Sequence, residues 1–233
     1  MVALTLVDYG SGNIRSVAHA FMRAGATLTI TSKSDEVLSA ERLVVPGQGA
    51  FGACVRAIQA HDGLWQALDE AVTHRAIPYF GICVGMQLAA LSGLEHGRTG
   101  GFGWVDATVR HLGTRPDCAR LTLPHMGWNR VRLDQAGLDQ ARLDQPGLDQ
   151  IRHRDHHPVL SAIPDGSWFY FAHSYYLDHD GKSGDIDAAV STDYGGHFCA
   201  AIAHGSMIGT QFHPEKSQAN GARLIEAFLG WRP

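Results

Sequence analysis

Four times within the N-terminal part of the chain, a short apolar run gives way to a segment of helical spacing. The runs are "ALTLVD" at 3–8, "TLTIT" at 27–31, "RLVVPG" at 42–47 and "IPYFGI" at 77–82. After Asn13, Ile14, Val17, Phe21 and Met22 recur at helical intervals, with Gly25 as a stop. "SDEVL" at 34–38 reads as a short capped turn of helix, 53–60 and 64–74 as helices, and another helix begins near Val84. Strands separated by helices cannot pair as hairpins. They pair in parallel, and the crossover helices cover both faces of the sheet.

The second half is richer in strands, expected at 107–112, 128–133, 168–172, 188–191, 198–203 and 207–211, several of them antiparallel, before a helix over 219–229. With 233 residues, 45% of them hydrophobic, the chain can bury one sizeable core. The expected fold is a single α/β domain over 1–233, with a central mixed, mostly parallel sheet flanked by helices.

A net charge of −4 gives no electrostatic case for binding nucleic acid or an anionic membrane. The longest apolar runs are strand-sized, so no membrane-spanning helix is expected. "MVALTLVDYG" reads as a first strand, not a signal peptide. Cys54, Cys83, Cys118 and Cys199 form no CxxC pair, which points to free thiols in a reducing cytoplasm. The "HRDHHP" cluster of His153, His156 and His157 lacks nearby cysteine and metal-ligand spacing, and reads as a solvated loop. No metal and no cofactor are expected.

One segment resists this pattern. Leu-Asp-Gln recurs every five residues, at Leu133, Leu138, Leu143 and Leu148. That period turns each leucine by about 140° around a helix, so no single apolar face forms. Gly137, Pro146 and Gly147 also oppose a continuous helix. Residues 133–157 are expected to be an exposed, partly disordered insertion.

The chemistry concentrates in three places. Gly81-Ile82-Cys83-Val84-Gly85 follows a buried strand, with the glycine–nucleophile–glycine spacing of an elbow. Its glycines allow a tight turn and leave room for substrate, and the following helix start favours a thiolate and an oxyanion. Alone, the motif also fits a buried structural thiol. In "GTQFHPEKSQ", Pro214 biases His213 toward an extended backbone, so His213 and Glu215 project to one side and can form a base with its orienting carboxylate. In "VVPGQGAF" a strand ends at a glycine turn, where a backbone N–H near Gln48 or Gly49 could join that of Val84 as an oxyanion donor. Taken by itself, that stretch reads rather as a routine Pro-Gly strand exit.

"DYGSGN", "PGQGAF", "GICVGMQL", "LPHMGWN", "FAHSYY" and "QFHPEKSQ" occur in this order. Together they resemble the class I, triad-type glutamine amidotransferases, and among these the glutaminase subunits of imidazole glycerol phosphate synthases. The resemblance spans nearly the whole chain except about 133–157. It implies a cofactor-free glutaminase that hydrolyses L-glutamine and feeds ammonia to a (β/α)8-barrel cyclase, its partner in a heterodimer. The cyclase makes imidazole glycerol phosphate and an aminoimidazole carboxamide ribotide in histidine biosynthesis. The resemblance further implies Cys83 as nucleophile, His213 as general base and acid, and Glu215 as its orienting carboxylate. Gln87 and Glu95 match positions holding glutamine, Glu95 through the α-amino group, with Ser174 and Tyr175 as further contacts and His173 alongside. The backbone of Gly49 and Val84 matches the oxyanion hole. Asn13, Trp128 and Lys216 match the synthase interface; without the resemblance, Asn13 reads as a helix N-cap and Trp128 as core.

Two departures stand out: Gln48 replaces a valine common in the family, and the five-residue repeat is foreign to its pattern. The rival readings are the glutaminase subunit of another synthase (anthranilate or pyridoxal phosphate), a Cys-His hydrolase working alone, and a regulatory subunit on a retained fold. The "PGQG" turn is the expected two-state element that would couple the oxyanion hole to the partner.

Overall fold

The computed structural model describes residues 1–115, 121–132, 157–179 and 188–233. In the first half the elements alternate as the apolar periodicity requires: β1 (Val2–Val7), α1 (Ile14–Arg23), β2 (Ala26–Thr31), α2 (Ser34–Leu38), β3 (Leu43–Gly47), α3 (Phe51–Gln59), α4 (Leu64–Thr73), β4 (Tyr79–Cys83) and α5 (Val84–Gln87). Asn13 caps α1, its side chain accepting from the Ser16 N–H at 3.4 Å. The buried face of α1 includes Phe21, whose ring meets Phe80 of β4 edge-on at 6.1 Å.

Then follow β5 (Ala90–Gly93), β6 (Thr99–Gly100), β7 (Val105–His111), β8 (His125–Arg132), β9 (Trp168–His173), β10 (Tyr175–His179), β11 (Ala188–Asp193), β12 (His197–His204), β13 (Met207–Thr210) and a C-terminal helix, α6 (Gln218–Gly230). Phe228 of α6 also contacts Phe21 at 6.4 Å, joining the first and last helices.

Among the described residues, nine strands form one sheet in the order β2-β1-β3-β4-β13-β12-β11-β8-β9. The sheet is mixed. The five strands from β2 to β13 pair in parallel, and the rest continue it in antiparallel. The fold is α/β with helices flanking this sheet. A second sheet, β10-β7-β5-β6, was not expected. Its strand β5 lies where the sequence suggests that the helix from Val84 continues. "LAAL" at 88–91 favours helix locally, but α5 stops after one turn. Ala90 and Gly93 pair with β7 instead, so tertiary pairing overrides propensity.

The register brings the three motifs together. Gly47 of β3 lies opposite Cys83 of β4, and Thr210 of β13 lies opposite Ile82. All three strands run parallel, so "PGQG", the cysteine elbow and "QFHPE" leave the same carboxyl edge of the sheet, the edge where open α/β sheets place ligands.

The repeat at 133–156 and Cys118, His153 and His156 lie outside the described residues. Cys54, Cys83 and Cys199 are free. His157 is buried, not solvated as expected; its Nδ1 accepts from the N–H of Val159 and Leu160 at 3.3 and 3.5 Å, which turns the ring inward to start a helical turn. Among the described residues no helix is long and apolar enough to cross a membrane.

Candidate active site

Cys83 ends β4 with φ 56° and ψ −111°, in the left-handed half of backbone space that a non-glycine residue rarely occupies. The elbow holds it there. The Tyr79 hydroxyl donates to the Gly85 carbonyl at 2.9 Å, and α5 lies directly against β3 and β4. A Cβ on Gly85 would collide with the Val45 carbonyl oxygen, and one on Gly81 would sit 2.5 Å from the Gly85 oxygen. These glycines therefore let backbone pack on backbone.

His213 adopts the extended backbone expected before Pro214, φ −101° and ψ 96°, and Glu215 lies in the helical turn Pro214–Lys216. His213 Nδ1 and Glu215 Oε1 are 2.9 Å apart, with the carboxylate almost wholly buried. The turn is fixed from behind. The Ser217 hydroxyl donates to the His213 carbonyl at 2.6 Å and accepts from the Tyr170 N–H at 3.0 Å. Cys83 and His213 border the same cavity. Burial alone would push the His213 imidazole down, but the neighbouring Cys83 and then Glu215 outweigh it and raise the ring to about 9. At neutral pH the imidazolium form is favoured.

These groups border a cavity of about 320 Å³. Its wall includes Gly49, Cys83, Val84, Gln87, Glu95, His173, Ser174, Tyr175, His213 and Lys216, so ten of the residues singled out in the sequence converge here. Glu215 stands behind His213, outside the cavity wall. Asn13 and Trp128 lie away from it. Asn13 is exposed at its helix cap, and Trp128 is 44% exposed, not core as its bare sequence reading has it. Among the described residues no group of His, Cys, Asp and Glu is arranged to hold a metal.

Several of these side chains have protein partners. Glu95 Oε2 accepts from the Phe51 N–H at 2.7 Å, at the start of α3. Gln87 is buried, and its amide donates to the Tyr175 carbonyl at 3.0 Å and to Gln211 Oε1 at 2.9 Å. His173 uses both ring nitrogens, Nδ1 with the Tyr175 carbonyl at 2.8 Å and Nε2 with His125 Nδ1 at 3.1 Å. His125 Nε2 in turn faces the Asn129 amide at 3.2 Å, and that amide also donates to the Asp193 carbonyl at 2.7 Å. One proton per ring satisfies this chain. Both imidazoles are accordingly pushed down by burial, His125 to about 4 and His173 to about 3.

Sequence reasoning missed three participants: Gln211 and His125, just described, and the clamp on the glycine turn. The Ser11 hydroxyl donates to the Gln48 carbonyl at 2.7 Å, and the Cys54 thiol donates to the same oxygen at 3.4 Å. Ser11 sits inside the "DYGSGN" motif, but nothing in its spacing signals a contact 37 residues away.

The fold and pocket define an α/β protein with a cysteine elbow facing a histidine–carboxylate pair. The family described as Glutamine amidotransferase class-I matches residues 5–230. The chain is 42% identical to imidazole glycerol phosphate synthase subunit HisH of Cereibacter sphaeroides over 98% of both chains. It is also 42% identical to the HisH subunit of Bradyrhizobium diazoefficiens over 100% of both. The solved structure of PurLQS from Thermotoga maritima shares the fold at a TM-score of 0.64 and 14% identity, covering 98% of both chains. The chain belongs to the class-I glutamine amidotransferases, in the HisH family.

Proposed function

We propose that this protein is the glutaminase subunit of an imidazole glycerol phosphate synthase. It hydrolyses L-glutamine and passes the ammonia to a (β/α)8-barrel cyclase partner in histidine biosynthesis. The observation that carries the chemistry is the strained Cys83 elbow bordering one cavity with His213, a histidine that Glu215 orients at 2.9 Å.

The Cys83 thiolate attacks the side-chain carboxamide of glutamine, and charge develops on its oxygen toward backbone donors at Val84 and the Gln48–Gly49 turn. The His213 imidazolium protonates the departing ammonia as the glutamyl thioester forms. The neutral ring then takes a proton from water, which attacks the thioester and releases glutamate and the free thiol. Glu215 holds the ring by Nδ1 and stabilises its charged form. Glu95, with one oxygen on the Phe51 N–H, keeps the other for the substrate's α-amino group. Gln87, Ser174 and Tyr175 shape the rest of the cavity, with His173 a neutral wall.

The partner face lies along the β8–β9 pair. Met126, Trp128 and Trp168 are exposed there at 63%, 44% and 45%, large apolar groups that a solvated surface rarely gathers. Trp128 packs edge-on against Tyr170, over whose ring Lys216 Nζ lies at 5.7 Å. Lys216 also borders the cavity, so this face adjoins the site where ammonia forms. The Gln48 carbonyl, clamped by Ser11 and Cys54, is the part of "PGQG" that partner binding would release. Residues 1–233 act as one amidotransferase domain, and the repeat from 133 is an insertion outside its chemistry.

The test is glutamate release by the protein alone and with the cyclase and its ribotide ligand. The proposal predicts weak release alone and strong release with both. Strong partner-free turnover of glutamine, peptides or esters favours a hydrolase working alone. Capture of a purified anthranilate or pyridoxal phosphate synthase subunit in place of the cyclase would reassign the partner.

A further inference from the structure

We infer that Gln211 is a positioning residue for the nucleophile: its side-chain amide, oriented by Gln87, donates a hydrogen bond to the Cys83 sulfur. The inference rests on the proposed role of Cys83.

Gln211 is fully buried one residue beyond β13, and its Nε2 lies 3.6 Å from Cys83 Sγ, within hydrogen-bonding range for sulfur. A buried amide can turn either face to a neighbour, and here the network selects one. The Tyr175 carbonyl only accepts, so the Gln87 group bonded to it at 3.0 Å is the NH2. The same NH2 donates to Gln211 at 2.9 Å, which makes the facing atom of Gln211 its oxygen and leaves its own NH2 toward sulfur. The assignment starts from a backbone carbonyl and passes through two side chains to the reacting atom.

The sulfur thus has two neighbours of different chemistry. His213 exchanges protons with it. Gln211 cannot; an amide donor only stabilises negative charge on sulfur and fixes its direction. Because the donor is neutral, its bond does not depend on the proton that His213 gives and takes, and it faces the sulfur both in the attacking thiolate and when hydrolysis of the thioester expels the sulfur again. The Tyr175 carbonyl also accepts from His173 at 2.8 Å, so the stretch that borders the substrate cavity is the anchor of the relay. The titratable groups facing Cys83 are His213 and Lys216 from the turn after β13, His173 and Tyr175 from the β9–β10 junction, Glu95 after β5, and Cys54 from α3. None of them supplies what Gln211 does, a neutral donor on the sulfur itself.

The test is the rate of Cys83 alkylation by iodoacetamide as a function of pH, followed on the Cys83 peptide by mass spectrometry. Gln211→Met keeps the volume and removes the donor. Its alkylation midpoint should rise by about one pH unit, with about a tenfold lower rate at neutral pH. Gln211→Glu keeps the bond to Gln87 but turns a carboxylate toward sulfur, and moves the midpoint further the same way. Gln87→Met leaves Gln211 in place, releases its orientation and gives a smaller shift, so the relay is tested even without a folded variant at 211. Loss of melting temperature with a wild-type midpoint in Gln211→Met or Gln87→Met would overturn the inference, since that is what a merely structural amide predicts. Glutamate release that survives Cys83→Ala would instead overturn the reading on which it rests.

Discussion

Acidification from pH 7 to pH 5 should remove about 3 kcal/mol of stability through two histidines that the fold keeps neutral. His125 lies between Tyr194 and Phe171, stacked at 3.9 and 4.8 Å, and its Nδ1 meets His173 Nε2 at 3.1 Å. A second proton on either ring would replace an acceptor with a donor inside this chain. Their native values, about 3 for His173 and about 4 for His125, lie below the 6.5 of a free imidazole. Between these values the unfolded chain binds more protons than the native one, so stability falls as pH falls through 6.5. At pH 5 the free imidazole is about 1.5 units below its midpoint, which is about 2 kcal/mol for a ring that stays neutral when folded. His173 contributes about that amount, and His125, whose native value is less depressed, about half of it. Urea unfolding at pH 7, 6 and 5 reads the loss directly. His173→Gln should be less stable at pH 7 but lose about 2 kcal/mol less on acidification. Parallel pH dependences for the variant and the wild type would refute the reasoning.

Glu215→Gln removes a contribution that keeps His213 charged, so the imidazolium is lost at a lower pH. The alkaline limb of kcat/KM should move down from about 9, with a fall of at least about a hundredfold, measured with partner and ligand present. Ser11→Ala removes one clamp on the Gln48 carbonyl; losing about 1 kcal/mol of restraint should raise partner-free glutamate release about fivefold, and an unchanged rate would place the switch elsewhere. Gly85→Ala would push a methyl group into the Val45 carbonyl and should cost at least about 3 kcal/mol or abolish folding, read by chemical denaturation. Trp128→Ala should weaken cyclase binding by at least about tenfold in titration calorimetry while leaving the monomer's melting temperature nearly unchanged.

The parallel half of the fold was legible because its signal is local. The buried strand "RLVVPG" stops at Pro46–Gly47, "TLTIT" is marked by threonine and branched residues, and the longer helices carry their own apolar stripes. Residues 88–93 were not legible, since their helix-forming composition yields to pairing with β7, a partner that local periodicity does not encode. The same reason hid Tyr175–His179 as a strand. At the site, the residues that touch substrate in the proposed mechanism lie in compact motifs, and His213 and Glu215 meet through two-residue spacing alone. Gln211 and the Ser11 clamp act across 128 and 37 residues of chain, and only the strand register brings them to Cys83 and Gln48. Trp128 shows the opposite case: its residue type suggests core, and its exposure follows from the pleat of β8.

The central claim is that Cys83 performs the attack on glutamine. Glutamate release by Cys83→Ala, with cyclase and ribotide ligand present, tests it most directly. The variant should bind the cyclase as the wild type does and release no glutamate above background. Glutaminase activity retained in that variant would contradict the claim.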